Sequence, residues 1–111
     1  MKSIDWTKDE LLAYILLFAA NADFKETANE QKLILSKVDI DTFLDIKEEF
    51  ENDNDYQGLK KIMTSLEQHH YGKDDIDILI EDIKVLFFVD DEYTVLEQNM
   101  LLALKRLFKA V

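Results

Sequence analysis

Residues 76–89 read IDILIEDIKVLFFV, and the fold turns on whether they form a strand or a helix. Their content of β-branched and aromatic residues favours a strand. Their spacing favours a helix, because Ile76, Leu79, Ile80, Ile83, Leu86 and Phe87 recur at intervals of three and four over a length unusual for a strand. A helix is therefore expected from Asp74 or Asp75 to Val89. If it is one, the chain has no convincing strand elsewhere and the domain is all-α.

Downstream of this segment, Thr94-Val95-Leu96-Glu97 has the form of a capping box and opens a helix with Leu101, Leu104, Leu107 and Phe108 facing inward. Lys105, Arg106 and Lys109 fall near its C-terminal end, where cations offset the helix dipole. Upstream, Gly72 is placed to end a helix that carries Tyr56, Leu59, Ile62, Met63 and Leu66. Before that, Asp41 is suited to cap a helix whose Phe43, Leu44, Ile46, Lys47 and Phe50 alternate core and surface until the polar run ENDND at 51–55 ends the pattern. Thr7-Lys8-Asp9-Glu10 is another capping box, with Trp6 and Leu11 placed as a hydrophobic staple. The helix it opens, through Leu12, Ile15, Leu16, Ala19 and Ala22, is widened by Leu11, Leu17 and Phe18 until little polar surface remains, so it belongs at the centre. Thr27-Ala28-Asn29-Glu30 is a third box, and Leu33, Ile34, Leu35 and Val38 supply the buried face that follows.

Composition agrees with a helical reading. The chain has 111 residues, no Pro and two Gly, and is 48% hydrophobic, enough for one core in a single domain over 1–111. Its net charge of −11 repels phosphate backbones and anionic lipid, which argues against nucleic acid as a partner. The longest uncharged run, Leu11 to Ala22, is twelve residues, short of the roughly 20 that span a bilayer, so no direct membrane insertion is expected. The absence of Cys and of a signal-peptide pattern at MKSIDWTKDE fits a cytoplasmic protein. Oligomeric state has no signature here.

A displacement of 67 residues carries Asp23 to Asp90, Thr27 to Thr94, Glu30 to Glu97, Gln31 to Gln98 and Leu35 to Leu102. Leu12 and Leu79, Leu16 and Ile83, and Ala22 and Val89 keep the buried phase in register across the same displacement. The pattern is that of a duplicated helical hairpin. The expected architecture is six to seven helices with two pseudo-repeated hairpins, and Leu16, Ala19, Ile83 and Leu86 among the deepest residues.

ADFKETANE (22–30) and VDDEYTVLE (89–97) resemble the loops of the TerB-like domain, a family named for bacterial tellurite resistance, which read Ala-Asp-Gly-x-(Ile/Val)-x-x-x-Glu in two copies. Ala22, Asp23 and Glu30 match in the first loop, and Asp90 and Glu97 in the second. Phe24 and Asp91 stand where the family has Gly. The resemblance implies an all-helical fold, no established enzymatic activity, divalent-cation binding through the acidic loop residues, and a stress-related bacterial setting.

Read without the resemblance, the acidic set has two meanings. Glu30 and Glu97 fit the third position of a capping box, and Asp23 and Asp90 fit turns. Alternatively, duplication brings Asp23, Glu30, Asp90 and Glu97 together as one site, where crowded carboxylates call for protons or a hard cation such as calcium or magnesium. Asp91, Glu92 and Glu26 would then extend the negative surface. Zinc is disfavoured, since neither loop has His or Cys. Residues 53–58, DNDYQG, imitate the start of an EF-hand loop, but Lys61 and Thr64 occupy later ligand positions. His69 and His70 are adjacent and diverge by about 100° on a helix. No catalytic motif is present, and an enzyme is not expected. Two functions remain: a cation-responsive TerB-like scaffold or sensor module, or a metal-independent helical module whose acidic face docks a protein partner.

Overall fold

Spacing prevails over β-propensity in the deciding segment, and residues 76–87 are helical throughout. The computed structural model describes residues 5–21, 26–89 and 94–109. Among them are six helices, α1 (Lys8–Ala20), α2 (Ala28–Lys37), α3 (Ile40–Asn52), α4 (Asp55–Gln68), α5 (Lys73–Phe87) and α6 (Val95–Phe108). The described residues contain no strand.

The helix starts follow local chemistry. Thr7, Thr27 and Thr94 each accept from the backbone N–H three residues on, and Glu10, Glu30 and Glu97 each accept in return from the cap's own N–H. Asn54 and Gln57 do the same at α4. Two expectations shift. Asp39, not Asp41, caps α3: its Oδ1 accepts from the Thr42 N–H at 2.8 Å, which leaves Asp41 in the first turn near the positive end of the dipole. Gly72 does not end α4. That helix closes at His69, the left-handed residue is His70 at φ 56°, and Gly72, at φ −93°, caps α5 and donates its N–H to Asp75 Oδ2. A left-handed non-glycine residue carries a cost that Gly avoids, partly offset by the looser unfolded chain. His70→Gly should therefore raise stability by about 0.5–1 kcal/mol, measured by urea unfolding.

α1 is the hub. It packs against α2, α3, α4, α5 and α6, as a helix with almost no polar face must. Leu16, Ala19, Ile83 and Leu86 are fully buried as the sequence implies, beside Ile15, Leu17, Ile34, Ile62 and Leu66. Further packing joins α5 to α6, α2 to α5 and α2 to α3, and Lys37 on α2 bridges to Asp82 on α5 at 3.2 Å. Gly58 lets α4 come close to α1, since a Cβ there would lie 2.9 Å from the Tyr14 hydroxyl. Leu35, expected inside, is 37% exposed, because Ile34 takes the inward position beside it, and on α3 Phe43 and Ile46 are buried while Leu44 is exposed. Among the described residues no helix is long and apolar enough to cross a membrane.

Candidate functional site

Of the four acidic residues singled out in the sequence, Glu30 and Glu97 are described, and Asp23 and Asp90 lie outside the described residues, as do Ala22, Asp91 and Glu92. Glu30 Oε1 accepts from the Thr27 N–H at 3.0 Å, and Glu97 Oε1 from the Thr94 N–H at 2.9 Å. Both therefore do the capping work their position implies. They also share a second property. Glu30 is 2% exposed and Glu97 5%, whereas Gln57 in the α4 box is exposed and Glu10 in the α1 box is half-buried. Capping alone needs no burial. Among the described residues no group of three His, Asp or Glu side chains is arranged to hold a metal ion.

Glu26, the other described acid of the first loop, is tied down. Its carboxylate accepts from Lys47 Nζ at 2.7 Å, from Asn21 Nδ2 at 3.1 Å and from Gln31 Nε2, which joins the start of α2 to α1 and α3. Burial opposes its charge, but the bonds from Lys47, Asn21 and Gln31 outweigh burial and hold the carboxyl below its ordinary value of 4.5. A depressed folded pKa gives stability that is present above the unfolded value and lost as pH falls through the folded one. Glu26→Gln should lower stability at neutral pH and flatten its decline below about pH 4.5, read from urea unfolding at a series of pH values.

The segment that imitates an EF-hand start is built into a different device. Asp53 Oδ2 accepts from the Tyr14 hydroxyl at 2.7 Å and from Lys61 Nζ at 2.8 Å. Lys61 also reaches Glu49 Oε2 at 2.8 Å, and Glu49 Oε1 accepts from the Trp6 indole N–H at 3.3 Å. The Tyr14 ring packs on Trp6 at 4.5 Å between centroids and edge-on to Phe50 at 5.6 Å. Burial first, then the hydrogen bond to Asp53 and the charges of Asp53, Glu49 and Asp55, push the Tyr14 hydroxyl far above the usual phenol range, so it remains a donor. Burial works to lower Lys61, yet its bonds to Asp53 and Glu49 prevail and raise it. This knot locks α3 and α4 onto α1. The adjacent histidines divide: His69 Nε2 lies 2.7 Å from the Trp6 carbonyl, so that nitrogen carries the proton, and His70 forms the turn.

Two surface faces stand out, and neither is visible from spacing alone. On α3, Ile40 and Leu44 are 53% and 54% exposed, one turn apart, beside exposed Asp41, Asp45 and Glu48. The helix's single cation, Lys47, is engaged by Glu26. Between α5 and α6 runs a groove of about 460 Å³ lined by Lys84, Phe88, Gln98, Leu101, Leu102 and Lys105. Phe88 and Leu102 are 61% and 57% exposed there.

No protein-family profile, curated protein or solved structure matches the chain. The likeness to TerB-like loops thus rests on residues 22–30 and 89–97 themselves.

Proposed function

We propose that the chain is a non-enzymatic helical interaction module whose acidic α3 face docks a basic, partly apolar partner. The observation that carries this reading is the outward pair Ile40 and Leu44 set among Asp41, Asp45 and Glu48, with the one α3 cation turned to Glu26. Apolar anchors inside a charged rim are the usual anatomy of a specific protein interface, and the rim sets the sign of the partner's charge. The probe is a fluorescein-labelled amphipathic peptide with Leu and Lys on helical period. It should bind the wild type, with affinity that falls as salt rises. Leu44→Asp should weaken binding at least tenfold at unchanged melting temperature, because Leu44 is more than half exposed. Equal binding by the variant, or none by the wild type, overturns the reading.

A second reading is favoured by the matched burial of Glu30 and Glu97 at the starts of the two helices that follow the acidic loops. On it, Asp23 and Asp90 are cation ligands, Glu30 and Glu97 are ligands or their supports, and the module serves as a TerB-like scaffold or sensor in a bacterial stress system. Calcium, magnesium and manganese are titrated calorimetrically. A cation at a hundred times its dissociation constant should add about 2.7 kcal/mol to stability, and Asp23→Asn with Asp90→Asn should abolish that gain. No heat and no melting shift at millimolar cation would remove this reading.

A further inference from the structure

We propose that the partner of the α3 face is a second copy of this chain, which receives the Ile40–Leu44 ridge in its α5–α6 groove. The proposal rests on the reading of α3 as a docking face. Its ground is that the two faces are complementary in both chemistry and sign. The ridge offers two aliphatic side chains flanked by Asp41, Asp45 and Glu48, all exposed. The groove offers Phe88 and Leu102 as an apolar seat, with Lys84 and Lys105 on its walls. α6 strengthens the contrast: its remaining charges are Arg106, exposed, and Glu97, which is buried in the cap. In a chain of net charge −11, α2 and α6 are the described helices whose exposed charge is positive, and of the two α6 borders this groove. A foreign basic helix would fit the ridge equally, but the groove offers apolar side chains and lysines on the same molecule.

One molecule does not satisfy its own faces. Ile40 and Leu44 remain more than half exposed, and α3 packs on α1 and α2 while α6 packs on α5 and α1. The contact must therefore form between molecules, and because ridge and groove are different surfaces it is head-to-tail. Such a contact closes into a ring or continues as a chain of copies. The overall negative charge opposes approach at long range but is screened beyond about 8 Å at physiological salt, where the opposed Lys and Asp side chains act at contact.

The test is sedimentation velocity and light scattering across a concentration series at physiological salt. The wild type should gain mass with concentration. Leu44→Asp, which spoils the ridge, and Leu102→Asp, which spoils the groove, should each be monomeric with unchanged melting temperature, since both residues face solvent. Mixed in equal amounts they should form a one-to-one dimer, because each retains the face the other lacks. If Leu102→Asp loses its helical circular dichroism, Lys84→Glu with Lys105→Glu takes its place as the groove variant. A wild type that stays monomeric to millimolar concentration overturns the proposal, as does a mixture that stays monomeric. Should the basic peptide still bind through Leu44 in that case, the α3 docking reading stands and only self-docking falls.

Discussion

Leu16→Ala should destabilise the domain by about 3–5 kcal/mol, the upper part of the range for emptying a buried leucine site. Leu16 is fully buried on α1, and α1 touches every other helix. Among those partners α2 also packs on α3 and α5, and α5 on α6, which holds them back from closing the void. The cost then includes the cavity as well as the lost transfer energy. In a domain of this size it corresponds to a fall in melting temperature on the order of 15 °C. Leu12→Ala, one turn earlier on a partly exposed flank of the same helix, is the internal control and should cost less than half as much. Urea unfolding of both variants measures the difference, and equal costs would mean that α1 is not the hub its contacts make it.

Asp53→Ala should cost about 2–3 kcal/mol. The loss leaves the Tyr14 hydroxyl buried without its acceptor and takes one of two carboxylates from Lys61. A stranded buried donor costs about 1–3 kcal/mol, and the partial exposure of Lys61 keeps its share small. Adding Tyr14→Phe removes the stranded hydroxyl, so the double variant should be about 1 kcal/mol less destabilised than the sum of the singles. Additivity of the two would show that the 2.7 Å bond contributes nothing net. The same knot predicts alkaline behaviour. The Tyr14 pKa is raised on folding, so its stabilisation is fully present below the ordinary value of 10.0 and drains away as pH rises above it. Tyr14→Phe should flatten that limb.

The sequence made helices legible wherever the deciding information is local. The three Thr-x-x-Glu boxes are local, and so is the period of residues 76–87, which is why their helix starts and phases agree with the structure. Where two neighbours satisfy the same rule, the rule cannot choose: Asp39 and Asp41 both suit a cap, and His70 and Gly72 both lie at a helix end. Leu35 reads as inward because an apolar side chain next to a buried stripe reads as part of it. Only the packing of α2 and α3 on their neighbours decides how wide that stripe is. The knot of Trp6, Tyr14, Glu49, Asp53 and Lys61 joins residues up to 43 apart, and no spacing rule connects them. The acidic set was half legible: the capping role of Glu30 and Glu97 follows from type and position, but their burial does not.

The central place of α1 also sets a problem of timing. This helix is made before every helix it packs against, and it has almost no polar face of its own. At roughly 5–20 residues per second, the ribosome needs on the order of 5 to 20 s to add the chain from Asn21 through Phe108. During that interval Leu11 through Ala20 have no complete burial site, while collapse of a small chain takes far less than a millisecond. Final packing of α1 is thus governed by synthesis, and the nascent chain presents a sticky helix that a holdase chaperone would recognise until α5 and α6 emerge.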